Sequence, residues 1–149
     1  MNPTLKPLLD VPTPSWQAVV DAVIAEFGGC TGTLHRLDPE DNLLKLVAHR
    51  GVPDFILPKV TVIPIGKGIA GVAAERCEPV ELCNLQADLG GIAKPDARKT
   101  NVQGSLAVPC LHDGKLRGTL GVGLMTAHDF TATEKATMME IAAAIAAKL

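Results

Sequence analysis

Ser105-Leu106-Ala107-Val108-Pro109-Cys110-Leu111-His112-Asp113-Gly114-Lys115-Leu116-Arg117-Gly118-Thr119-Leu120-Gly121-Val122-Gly123-Leu124-Met125 is the stretch on which the fold is decided. Two β-rich runs, 105–111 and 116–125, flank His112-Asp113-Gly114-Lys115, and Asp-Gly is a strong two-residue hairpin turn. Alternation in the second run points Leu116, Leu120, Val122 and Leu124 one way. Arg117, Thr119, Gly121 and Gly123 point the other way. That second face is almost bare, so a helix or a ligand lies close against its backbone.

Downstream, Thr131-x-x-Glu134 is a capping-box pattern opening a last helix whose stripe is Met138, Ile141, Ala142, Ile145 and Leu149. Upstream, residues 84–103 lack periodicity and are rich in Gly, Asp, Lys and Asn; loops of that length inside a domain are usually functional or mobile. Pro79 to Leu82 reads as a short strand. Ile65-Gly66-Lys67-Gly68-Ile69-Ala70-Gly71 reads as a glycine turn opening a short helix. Val60-Thr61-Val62-Ile63 is β-branched throughout and reads as a buried strand. Pro53 to Pro58 reads as one helical turn. Cys30–Leu37 and Leu43–Arg50 form a second hairpin around Asp38-Pro39-Glu40-Asp41-Asn42. The first helix starts at Thr13 or Ser15, with Pro14 in its first turn, and carries Trp16, Val19, Val20, Val23, Ile24 and Phe27 on one stripe until Gly28-Gly29. Residues 1–12 hold three prolines and little periodicity, and read as a flexible arm before one domain over 13–149.

Composition narrows the function. The chain has 149 residues, 47% of them apolar, which suits one domain with its own core. Three Phe, one Trp and no Tyr leave any pocket lined by aliphatic groups and argue against base-stacking platforms. Fourteen basic and sixteen acidic residues give a net charge of −2, hence no general field for nucleic acid or anionic membrane. No signal-peptide pattern and no membrane-length apolar run are visible, so a cytoplasmic protein is expected. Cys30, Cys77, Cys83 and Cys110 form no CxxC pair and no zinc spacing; they read as small hydrophobes, with Cys77 and Cys83 the pair near enough for redox chemistry. No metal or cofactor is expected, and no nucleophile elbow or triad can be assembled.

Taken in order, Val62–Gly71, Glu78-Pro79-Val80, Ser105–Leu111, Gly118-Thr119-Leu120-Gly121-Val122 and Phe130-Thr131-Ala132-Thr133-Glu134 resemble the GAF domain family over about Trp16–Leu149. The resemblance implies an α+β fold of the GAF/PAS kind: a central antiparallel sheet, N- and C-terminal helices on one face, and a small-molecule pocket on the other. It also implies a homodimer through the terminal helices. Fold alone does not choose a function. Phe130-x-x-x-Glu134-Lys135 keeps the Phe spacing of cyclic-nucleotide-binding members but lacks their carboxylate pair. None of Cys77, Cys83 and Cys110 sits in a bilin attachment motif. Free methionine-(R)-sulfoxide reductases of this family place cysteines where this chain has Gly68-Ile69-Ala70-Gly71 and within the loop before Ser105, and both positions lack one here.

The candidate site is the glycine turn, Lys67, Gly68, Ile69, Ala70 and Gly71, whose first-turn N–H groups and lysine suit a small anion or carboxylate. The alternative is that the glycines serve only the turn and Lys67 is solvated. Arg98 and Asn101, with Lys94 and Lys99, form a second candidate as part of a lid, or else a hydrated loop. His35 and His49 fall on neighbouring strands and can face one another. The expectation is a non-enzymatic sensory or regulatory domain that binds a non-aromatic small molecule. No kinase, DNA-binding or cyclase segment is read, so its output partner is a separate protein. A thiol reductase or a ligand-free structural dimer module are the alternatives.

Overall fold

In the computed structural model, which describes residues 2–82 and 102–149, the chain runs α1 (Leu5–Leu9), α2 (Trp16–Phe27), β1 (Thr31–Asp38), β2 (Leu43–Arg50), α3 (Leu57–Val60), β3 (Val62–Pro64), α4 (Gly68–Arg76), β4 (Val80–Leu82), β5 (Gly104–His112), β6 (Lys115–Leu124) and α5 (Ala132–Ala146). The strands form one antiparallel sheet in the order β3-β2-β1-β6-β5-β4. Both hairpins stand where alternation puts them. Asp113 and Gly114 take φ of +52° and +76°, as the two-residue turn between β5 and β6 requires.

The sheet separates two apolar layers. On one face, α1, α2 and α5 bury Leu5, Val19, Val20, Val23, Met138, Ile141 and Ile145 against Leu34, Leu106, Val108, Leu120 and Val122. On the other, α4 sets Ala74 against Leu44 and Ile63, and Ala73 against Val80 and Ala107. This is the expected α+β arrangement, with the terminal helices on one face and α4 on the other.

Local departures have physical causes. The arm expected over residues 1–12 is instead packed at residues 5–9, where Leu5 and Leu9, one helical turn apart, enter the main core. Ser15 caps α2 by accepting the Ala18 N–H, which puts Pro14 just outside the helix. Val60 closes α3 rather than opening a strand; the turn expected over 53–58 is present, with the Ile56 and Leu57 N–H groups donating to the Pro53 carbonyl, and it runs on into α3. Val62–Pro64 is then an edge strand with Val62 exposed. In β6 the pairing passes from Cys110↔Gly118 to Leu111↔Leu116, leaving Arg117 as an extra residue. That bulge turns Leu116 away from Leu120 and Val122, and it packs beside Leu44 on the α4 face.

α5 opens on a complete capping box: Thr131 Oγ1 accepts the Glu134 N–H at 3.1 Å, and Glu134 accepts the Thr131 N–H at 2.9 Å. The Thr131 N–H is the main reason the Glu134 carboxyl is held below its ordinary value, with His128 adding to it from 2.9 Å. Thr131→Ala removes the Oγ1 acceptor but keeps that N–H, and should lower stability by about 1 kcal/mol; the other half of the box depends on the Glu134 charge. The charge-dependent part is present above the ordinary carboxylate range and is lost as pH falls through the depressed pKa. Urea unfolding of wild type and Glu134→Gln at neutral and acid pH checks this: the wild-type advantage should shrink in acid.

Candidate functional site

Lys67 is the N-cap of α4, extended and exposed, and its side chain makes no capping bond. Helix geometry leaves the N–H groups of Gly68, Ile69 and Ala70 without intrahelical acceptors. Gly71 differs from the expectation: its N–H already donates to the Lys67 carbonyl at 3.1 Å. A Cβ at Gly71 would come 2.6 Å from the Pro64 carbonyl oxygen, so this glycine serves the close fit of β3 against α4. Ile69 packs toward Val80 and Ala107, and Ala70 toward Leu44 and Ile63. The Glu75 carboxylate lies over Gly66, where a Cβ would meet its Oε2 at 2.7 Å, and it competes with any external anion for this turn. Arg98 and Asn101, like Lys94, Lys99 and Cys83, lie outside the described residues.

Beyond the turn, the α4 face of the central strands carries a polar set. Register pairs Thr31 with Gly123, Thr33 with Gly121 and His35 with Thr119 across β1 and β6, and Thr33 with His49 across β1 and β2. His35 and His49 therefore share a face without standing directly opposite one another. His35 and Thr119 are each 1% exposed. His35 Nδ1, His49 Nδ1 and Thr119 Oγ1 are buried and have no hydrogen-bond partner within the protein. Gly121 and Gly123 let neighbours close onto the same face: a Cβ at Gly121 would meet the Thr33 hydroxyl at 3.1 Å, and one at Gly123 the Thr31 hydroxyl at 2.4 Å and Val102 Cγ1 at 2.8 Å. The bare stripe in β6 was a sign of this face. The part played by Thr119 was hidden, because a lone Thr in a strand reads as β-propensity.

The described thiols are scattered. Cys110 is fully buried on the terminal-helix face, and burial pushes its pKa up to about 12. Cys30 donates to the Gly123 carbonyl at 3.3 Å, and burial raises its pKa too. Cys77 ends α4, exposed, with φ +53°. Among the described residues, no cluster of His, Cys, Asp or Glu could hold a metal, and no helix is long and apolar enough to cross a membrane. A disulfide-forming aromatic reagent should modify Cys77 promptly and Cys110 only on unfolding, as read by peptide mapping. Prompt labelling of Cys110 would contradict the packing of this core.

A family model for the GAF domain matches residues 16–149. The chain belongs to the GAF family. Solved GAF-type structures superpose on it at low identity. The GAF domain of a phosphoenolpyruvate-protein phosphotransferase from Coxiella burnetii has TM-score 0.76 at 23% identity, covering 99% of this chain and 83% of that one. A type II free methionine-R-sulfoxide reductase from Thermoplasma acidophilum has TM-score 0.73 at 19% identity, covering 95% and 94%. A domain of a sensor histidine kinase protein from Sinorhizobium meliloti 1021 has TM-score 0.68 at 19% identity, covering 88% and 86%. No curated protein sequence matches this GAF domain. Such neighbours share the fold and divide in function.

Proposed function

We propose that this GAF domain is a cytoplasmic sensory or regulatory module that binds a small, non-aromatic molecule between α4 and the centre of the sheet. The observation that carries the reading is the set of buried, unpartnered polar atoms on one face of the sheet: His35 Nδ1, His49 Nδ1 and Thr119 Oγ1. Each such atom costs about 1–3 kcal/mol when left without a partner. A ligand that supplies those partners recovers that free energy on binding. An anionic or carboxylate part of the ligand would meet the N-terminal turn of α4, at Lys67, Gly68, Ile69 and Ala70. Arg98 and Asn101 are assigned by the same reading to the same ligand. Binding would favour one arrangement of the loop over 84–103 or of the terminal helices, and a separate protein would read that shift.

A thermal-shift screen of small anions, carboxylates, amino acids and nucleotides tests the reading. Ligand at 100 times its Kd stabilises by about 2.7 kcal/mol, an easily read rise in Tm. A flat screen would remove the proposal. Turnover of free methionine sulfoxide with oxidation of thiols would replace it by the reductase reading. Homodimerisation through the terminal helices belongs to the same proposal. A groove of about 420 Å³ between α1 and α5, lined by Leu9, Ala144 and Ala147 with Lys6, Asp10, Glu140 and Lys148, lies on the helical face that such a dimer would use. Sedimentation of a strict monomer at high concentration would exclude that pairing.

A further inference from the structure

The hydrogen-bonding state of His35 can be worked out atom by atom. Its Nε2 lies 2.8 Å from the Val60 carbonyl oxygen. A carbonyl oxygen only accepts, so the ring proton sits on Nε2. Burial lowers the His35 pKa and favours the neutral ring, although the Val60 carbonyl works against this. Nδ1 therefore presents a lone pair and can only accept. Directly across the β1–β6 pair, the Thr119 hydroxyl can both donate and accept, and it too has no partner in the protein.

We infer that His35 Nδ1 and Thr119 Oγ1 form one subsite for a neutral polar group bearing its own N–H or O–H, of the primary-amide or hydroxyl class, and that the subsite rejects a carboxylate. An amide donates an N–H to Nδ1, and its carbonyl oxygen accepts a hydrogen bond from the Thr119 hydroxyl. A carboxylate has the same shape but no proton to give, so its oxygen would face the lone pair of Nδ1. Protonating His35 to relieve that clash is opposed by its burial. The inference rests on the ligand-binding reading and says which end of a ligand lies against the sheet. An anionic end, if there is one, belongs at α4.

Acetamide and acetate, alike in shape and different in their donor, separate these outcomes. The uniformly ¹⁵N-labelled full chain is titrated with each at constant ionic strength, following His35 Nδ1 by two-bond ¹H–¹⁵N correlation and the backbone amides in the same sample. Acetamide should move the His35 Nδ1 resonance saturably, while acetate leaves it in place. Thr119→Val should weaken acetamide binding about tenfold without changing the tautomer of the free ring, and Thr119→Ser should restore it. An equal response to acetate overturns the inference. So does an Nδ1 that is already hydrogen-bonded in the protein alone and moves with neither probe, the signature of a resident water. If acetate moves the backbone amides of Ile69 and Ala70 and acetamide leaves His35 unmoved, the subsite falls and the ligand-binding reading stands. If neither probe moves any resonance and the thermal screen is flat, the reading itself falls.

Discussion

Gly118→Ala is expected to be among the most damaging single-methyl additions in this chain, lowering stability by about 3 kcal/mol, the upper end for overpacking a closed core. The added Cβ would lie 2.1 Å from the His35 carbonyl oxygen and 2.9 Å from Leu149 Cδ2. The Leu149 side chain can swing aside. The His35 carbonyl belongs to the backbone of β1, where Gly118 is paired with Arg36, so relief requires the two central strands to part. Because His35 moves with that carbonyl, any ligand-induced rise in Tm should fall along with the stability. Gly114→Ala is the comparison. Gly114, unlike Gly118, has positive φ, +76°, and a Cβ there meets nothing within 4 Å, so only the backbone term of about 1–2 kcal/mol applies. Urea unfolding of both variants decides the matter. A Gly118→Ala protein within experimental error of wild type would mean that the β1–β6 register is wrong.

Leu5→Ala should lower stability by about 2–5 kcal/mol, the range for emptying a fully buried leucine site. Leu5 is completely buried, and Leu9 joins it in the core shared with α2 and α5. The segment is tied at its start, where the Asn2 amide donates to Glu26 of α2 and its oxygen accepts the Thr4 N–H at 2.6 Å. A loose arm would lose less than about 0.5 kcal/mol on the same substitution. Lys6→Ala provides the contrast: its bridge to Asp10 at 2.7 Å is solvent-exposed, and such pairs contribute little. Chemical denaturation of the two variants side by side separates a docked helix from a tail.

The sheet was legible in the sequence because its central hairpins announce themselves twice, by alternation and by turn chemistry. Ser105 to Leu124 shows both, and the capping box at Thr131 marks α5 just as directly. What stayed hidden depends on single residues out of pattern. Arg117 is the extra residue of a bulge, and nothing in a run of alternating residues says where one side chain will be skipped; Leu116 therefore changes face. α1 is five residues long with Pro7 inside it, too short for periodicity to register, and its leucine pair gains meaning only when α2 and α5 are in place. The candidate site was legible at its rim and not at its floor. Gly68, Ile69 and Ala70 stand at the helix start as the glycine pattern suggests, whereas Gly71 is used up by the fit of the turn. The pairing of His35 with Thr119 comes from registering strands far apart in sequence, and local pattern carries no information about that.

The strand order β3-β2-β1-β6-β5-β4 makes the middle of the sheet a seam between the two ends of the chain, with Thr31 beside Gly123. Each half can form its own hairpin early, but the seam closes only after nearly the whole chain is available, which makes it the slow, non-local step of folding. His35 and Thr119 stand on opposite sides of that seam. A group held between them fastens the two halves after they have met, so occupancy would act as a rivet: it slows the reopening of the sheet and leaves the speed of its assembly almost untouched.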